Sequence, residues 1–182
     1  MSDNSTNNKR IAKNTFFLTI RMIFVTLVYI YTSRVILNAL GVVDYGIYNV
    51  VGGVVAMFAL FTGSLSAAIS RFLTYELGKG NVHKLNVVFS TSVTIQLVLA
   101  IVVSLLAEIG GVWFLNTHMN IPADRMNAAN WVLQFSILTF AINLVSVPYN
   151  AAIIAHEKMS AFAYISILEV ILKLVVAYTL YV

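Results

Sequence analysis

The chain contains no cysteine in 182 residues. Disulfides, cysteine-ligated zinc and thiol catalysis are therefore excluded. Charge is also scarce: 10% of the residues are Asp, Glu, Lys or Arg, against about 25% in soluble domains. Soluble-type catalytic constellations are missing as well. His83, His118 and His156 each stand alone near a predicted loop, without metal-ligand spacing around them. No phosphate loop, nucleophile elbow or paired acidic motif appears. No metal site or cofactor is expected, and an enzyme is the weaker functional class.

What remains is apolar. Hydrophobic residues make up 60% of the chain and the mean hydropathy is +0.89, whereas soluble proteins carry roughly 45–50% apolar residues. A core this large would have no polar shell, so lipid is the solvent. The net charge of +4 is not gathered into a face or run, which argues against a nucleic-acid partner.

Residues 1–15 form a polar tail ending in Lys9, Arg10 and Lys13. The apolar stretch that follows is too long for a signal peptide. Spans are predicted at about 16–40, 47–73, 87–115, 128–155 and 161–182, each at or above the ~20 residues that cross a bilayer core. Backbone in lipid must satisfy its own hydrogen bonds, so the expected fold is all-α and polytopic, with five transmembrane helices. Short breaks make consecutive helices antiparallel neighbours. Lys9, Arg10, Lys13, Arg71, Lys79, Lys84 and Lys158 fall on one side, against mainly Arg125 on the other. That bias puts the N-terminus in the cytoplasm. The end at Tyr181 and Val182, with no flanking loop, suggests an incomplete protein.

The polar residues inside the spans carry the information. Gly52, Ala56, Ala59, Gly63, Ser66 and Ser70 recur at steps of four and three, one small-residue seam for close helix packing or for a moving interface. Ser136, Thr139, Asn143, Ser146 and Asn150 form a polar stripe interrupted by Pro148. The stripe serves interhelical hydrogen bonds or lines a wet cavity, and the proline favours a kink. Ser90, Thr94, Ser104 and Glu108 repeat the pattern more weakly. Glu169 and Lys173 are one turn apart and can neutralise each other. Glu108 has no such local partner: it must find a cation on another helix, reach water or carry a proton, which makes it a candidate for ion or proton coupling. Arg21 and Arg34 either snorkel to the headgroups or give a lumen cationic character. At 100° per residue they point some 140° apart, so they do not serve one site equally.

The segment Ser-Arg-Val-Ile-Leu-Asn-Ala-Leu-Gly-Val-Val-Asp-Tyr-Gly-Ile-Tyr from Ser33 to Tyr48 is followed by Ser70-Arg71-Phe72 and Glu76-Leu77-Gly78. This resembles the start of the polysaccharide flippases, the Wzx-type O-antigen and capsule exporters of the MATE-like superfamily. Arg34, Val35, Leu40, Gly41, Tyr45, Gly46, Ile47 and Tyr48 carry the likeness. The resemblance implies movement of an undecaprenyl-diphosphate-linked oligosaccharide across the bacterial inner membrane, for lipopolysaccharide or other surface polysaccharide, through a cavity between two helical lobes. Arg21, Arg34 and Arg71 would then meet the diphosphate, and Asn143 and Asn150 the sugar or water. Such flippases have about 12 to 14 helices, so five helices imply part of an N-terminal lobe that needs the remaining helices or a partner chain. The nearest alternative is a drug or cation antiporter of the same superfamily, with Glu108 as its one unpaired acid. A non-transporting membrane assembly module is a reading from another class, and a glycan-modifying membrane enzyme ranks third.

The topology is directly testable because native cysteine is absent. Asn4→Cys and Gly80→Cys are expected to be shielded from impermeant thiol reagents in intact cells, while Asn120→Cys labels. Labelling at position 80 but not at 120 would reverse the orientation.

Overall fold

A computed structural model describes residues 2–57 and 60–180, with side chains for 12–57 and 62–180. The described backbone is helical and contains no strand. The helices are α1 (Ser2–Ala56), α2 (Leu60–Gly78), α3 (Val82–Thr117), α4 (Met126–Ala155) and α5 (Met159–Thr179). Among the described residues, Ala12–Ala56, Val82–Thr117, Met126–Ala155 and Met159–Thr179 are long and apolar enough to cross a membrane. The polytopic all-α expectation holds.

The boundaries differ from the sequence reading in physically instructive ways. The break expected over residues 41–45 shrinks to one residue: Gly41 leaves helical geometry at φ 75° and ψ 171°, a conformation open to glycine because it lacks Cβ. Asp44 and Tyr45, expected in a turn, are helical. The second expected span divides between the arm of α1 that ends at Ala56 and α2, and residues 58–59 between them lie outside the described set. α2, at 19 residues the shortest of the five helices, carries Arg71 and Glu76 in its second half. α3 begins at Val82, earlier than expected, because the Asn81 side chain caps it by accepting the Lys84 N–H at 3.0 Å. The preceding Gly80 turns the chain at φ 68°. A cysteine at 80 is therefore strained, and Lys79 is the better topology reporter.

The chain divides into two compact units, one of Met1–Val42 and His156–Val182, the other of Val43–Ala155. The second unit holds the apolar core. Along α3 the buried positions are Ser92, Gln96, Ala100, Ala107, Gly111 and Leu115, mostly small residues recurring near helical period. They let α4 approach with Ala129, Leu133, Ile137, Phe140 and Leu144, and Val51 and Val55 of α1 complete the cluster. A second cluster joins Leu73 of α2 and Ala151 and Ala155 of α4 to Leu85, Val88 and Phe89 of α3. Position 111 thus meets 133 while 85–89 meets 151–155, so α3 and α4 are antiparallel. Arg125 binds Asp44 through its guanidinium and lies 3.4 Å from Asp124. The connection between α3 and α4 is thereby tied to the start of the second arm of α1, as alternating spans require.

The first unit is built differently. Arg21 meets Phe162, Tyr29 meets Lys173 and Tyr31 meets Tyr178. The partners advance together, so the first arm of α1 and α5 run parallel. Both apolar clusters described above belong to the second unit; this pair is bridged by long polar and aromatic side chains.

The tightest glycine contact tests the α3–α4 packing. A Cβ at Gly111 would lie 3.1 Å and 3.3 Å from the Leu133 methyls, whereas one at Gly110 meets nothing within 4 Å. Gly111→Leu is expected to cost about 1–3 kcal/mol through overpacking and Gly110→Leu much less, read as thermal unfolding in detergent. Equal melting of the two variants would place the interface elsewhere.

Candidate functional site

In a membrane protein the informative polar groups are those that cannot satisfy themselves. Serine and threonine hydroxyls can, by donating to a carbonyl one turn back. Thr139 donates to the Phe135 carbonyl, Ser146 to that of Ile142, Ser92 to that of Val88 and Thr94 to that of Ser90. The polar stripe on α4 is thus largely self-satisfied in its hydroxyls. The face of α4 that packs is apolar, and it carries Leu133, Ile137, Phe140 and Leu144. The stripe lies roughly 110° round the helix from that face, with Asn143 exposed and Asn150 half-buried. Pro148 is buried within a helix that continues to Ala155.

The first unit gathers the charges. The Arg21 guanidinium lies 4.4 Å from the centre of the Phe162 ring, and its Nε is buried without a described partner. Further along, Lys173 donates to the Tyr29 hydroxyl at 2.8 Å and pairs with Glu169 at 2.9 Å. Beyond that, the Tyr31 and Tyr178 hydroxyls bond to each other. These two tyrosines, with Arg34, Val35 and Asn38, line a niche of about 240 Å³. The 13 residues from Arg21 to Arg34 correspond to about 20 Å of helical rise, several times the length of a phosphate group. The two arginines occupy separate stations along one helix pair. Arg71 is exposed on α2 and belongs to the other unit.

The second unit contains a larger cavity of about 730 Å³ along α3 and α4. Its walls are mainly aliphatic, including Leu97, Ile101, Leu105 and Ile142. Glu108 reaches this cavity and accepts a hydrogen bond from Gln134 Nε2 at 2.6 Å. The partner that the sequence could not supply for Glu108 is thus a neutral amide on α4. Ser104, one turn before Glu108, also lines the cavity, and its hydroxyl is buried without a described partner.

Among the described residues of the small-residue seam, the contacts within this chain differ from position to position. Gly52 would place a Cβ 3.9 Å from Ser136 Oγ, and Gly63 has nothing within 4 Å. Ala56 is exposed, while Ser66 and Ser70 are half-buried. Ala59 lies outside the described residues. The seam that packs is on α3. Sequence reasoning passed over it, although its spacing carries the same signal. Asn38, Gln96, Gln134 and the pair Tyr31 and Tyr178 were missed too. Any amide or paired hydroxyl inside a long apolar run is a candidate, and Gln96 is the extreme case: fully buried, with neither amide atom partnered among the described residues.

Helices of membrane-spanning length and a cavity along two such helices suit a transporter. The family model MatE matches residues 18–179. The chain belongs to the MatE family. This MatE chain is accordingly a multi-pass membrane transporter of the MATE superfamily, a family of transporters and not of enzymes. No match is found among curated proteins or solved structures.

The contact between Glu108 and Gln134 makes a specific prediction for this transporter. Glu108→Gln keeps an acceptor for Gln134 and is expected to leave thermal stability in detergent nearly unchanged. Gln134→Leu removes the donor and is expected to cost about 0.6 kcal/mol, the average for hydrogen bonds between membrane helices, and at most about 1.7 kcal/mol. A larger loss from Glu108→Gln than from Gln134→Leu would mean that the carboxylate has another partner.

Proposed function

We propose that this MatE protein moves an undecaprenyl-diphosphate-linked oligosaccharide from the inner to the outer leaflet of the bacterial inner membrane, for surface polysaccharide such as O-antigen. The observation that carries this reading is the charge of the parallel α1 and α5 pair. Within residues 16–40 of α1 and 159–179 of α5, Arg21, Arg34 and Lys173 stand against one acid, Glu169. An excess of cations at membrane depth is costly unless it faces protein, water or an anion. A guanidinium offers planar donors that match phosphate oxygens, and Arg21, whose Nε has no partner among the described residues, is the group best suited to the diphosphate. In this proposal the N-terminus is cytoplasmic and the two arginines meet different parts of the lipid-linked head group.

A second reading, export of an organic cation, is favoured by the aliphatic cavity that Glu108 enters. There the carboxylate would meet the cation or the coupling ion. The two readings separate cleanly. Glu108→Gln would abolish resistance to cationic compounds under the second reading, and it leaves polysaccharide export intact under the first.

The direct test is deletion of the gene in its host and complementation. Loss of surface polysaccharide, with lipid-linked oligosaccharide accumulating in the inner leaflet, is expected. Complementation with Arg34→Ala should fail and Arg34→Lys should restore part of the export, with protein level measured alongside. Normal export by well-expressed Arg34→Ala would remove Arg34 from the substrate path.

A further inference from the structure

Arg21 and Arg34 differ in the chemistry around them, and the difference assigns them different parts of a ligand. Arg21 offers donors only: its guanidinium rests on the Phe162 ring and its Nε has no partner among the described residues. An ionised diphosphate, which only accepts hydrogen bonds, suits it. The niche at Arg34 offers both kinds of group. Arg34 donates, and the Asn38 amide both donates and accepts. The Tyr31 and Tyr178 hydroxyls share one hydrogen bond, which leaves the pair one proton to give and lone pairs to receive. Acceptors facing an ionised phosphate would be repelled or left empty. Acceptors beside donors match a ligand whose groups do both, and the hydroxyls of a sugar are such groups.

Size and surface agree. The niche holds about 240 Å³, below the roughly 300–1,000 Å³ of sites for drug-sized ligands. That volume suits one sugar ring of a longer chain. Its two tyrosine rings give flat apolar surface for the C–H face of a pyranose while their hydroxyls stay available, the amphipathic use to which tyrosine is suited. Sites that hydrogen-bond a ligand hydroxyl discriminate strongly against ligands that lack it, because their polar groups are otherwise stranded.

We propose that Tyr31, Arg34, Asn38 and Tyr178 form a monosaccharide-binding subsite, which recognises a sugar ring and not the diphosphate. The assignment rests on the flippase reading for its biological ligand, but it is testable without transport. The chain, purified in detergent, is examined by saturation-transfer NMR with a panel of soluble methyl glycosides, and inorganic pyrophosphate serves as the competitor. At least one glycoside is expected to give a signal. Asn38→Leu and Tyr178→Phe should each weaken binding by about tenfold, the equivalent of one or two hydrogen bonds. Melting temperature and gel-filtration profile serve as controls for folding. Tyr178→Phe keeps the ring and guards against a loss caused by misfolding.

Equimolar pyrophosphate should leave the glycoside signal unchanged. Displacement of the glycoside by pyrophosphate would make the niche an anion site and overturn the assignment. So would glycoside signals unchanged in both folded variants, or no signal from any glycoside with the native chain. The proposal and the flippase reading fail separately. Glycoside binding with normal surface polysaccharide in the deletion strain sinks the flippase reading alone, whereas lost polysaccharide without glycoside binding sinks the subsite alone.

Discussion

A bilayer offers no partner to a backbone amide, and the rest of this structure follows from that constraint. Every residue at membrane depth must close its own hydrogen bonds or have a neighbour close them. Long helices are the result, and the chain leaves helical geometry only where a local device permits. Gly41 turns without a Cβ to obstruct it. Gly80 and the Asn81 cap manage the step from α2 to α3. Arg125 gathers Asp44 and Asp124 at the connection between α3 and α4.

The same constraint sorts the side chains. A threonine or serine in a helix can discharge its hydroxyl into its own helix, as Thr139 and Ser146 do. Such residues are inexpensive in lipid and say little about ligands. Arginine, glutamate, lysine and the amides cannot do this so easily and must be met from elsewhere. Glu108 is met by Gln134, Lys173 by Tyr29 and Glu169, and Arg21 by the face of Phe162. The two units use this logic differently. One is held by small residues that let α3 and α4 approach, and the other by polar bridges between parallel helices. The first arrangement makes a firm scaffold, and the second leaves polar side chains as the contacts between its helices.

The sequence by itself determined the solvent, the class and the approximate positions of the helices. These are one-dimensional properties: a run of apolar residues spans lipid whatever its neighbours are, and Gly41 marks a break because glycine alone adopts that backbone geometry freely. It also marked Arg21, Arg34 and Glu108 as costly and so worth attention. The partners were decided only by the tertiary structure, because partnership depends on which helix faces which. Gly52 and Gly63 carry the same local signal as Gly111, yet Gly111 is the glycine pressed against Leu133. Spacing gives each helix a face, but only the fold chooses the opposing one. For the same reason Tyr178 stood unnoticed near the end of the chain until the parallel pairing of α1 and α5 set its hydroxyl against that of Tyr31, 147 residues away in sequence.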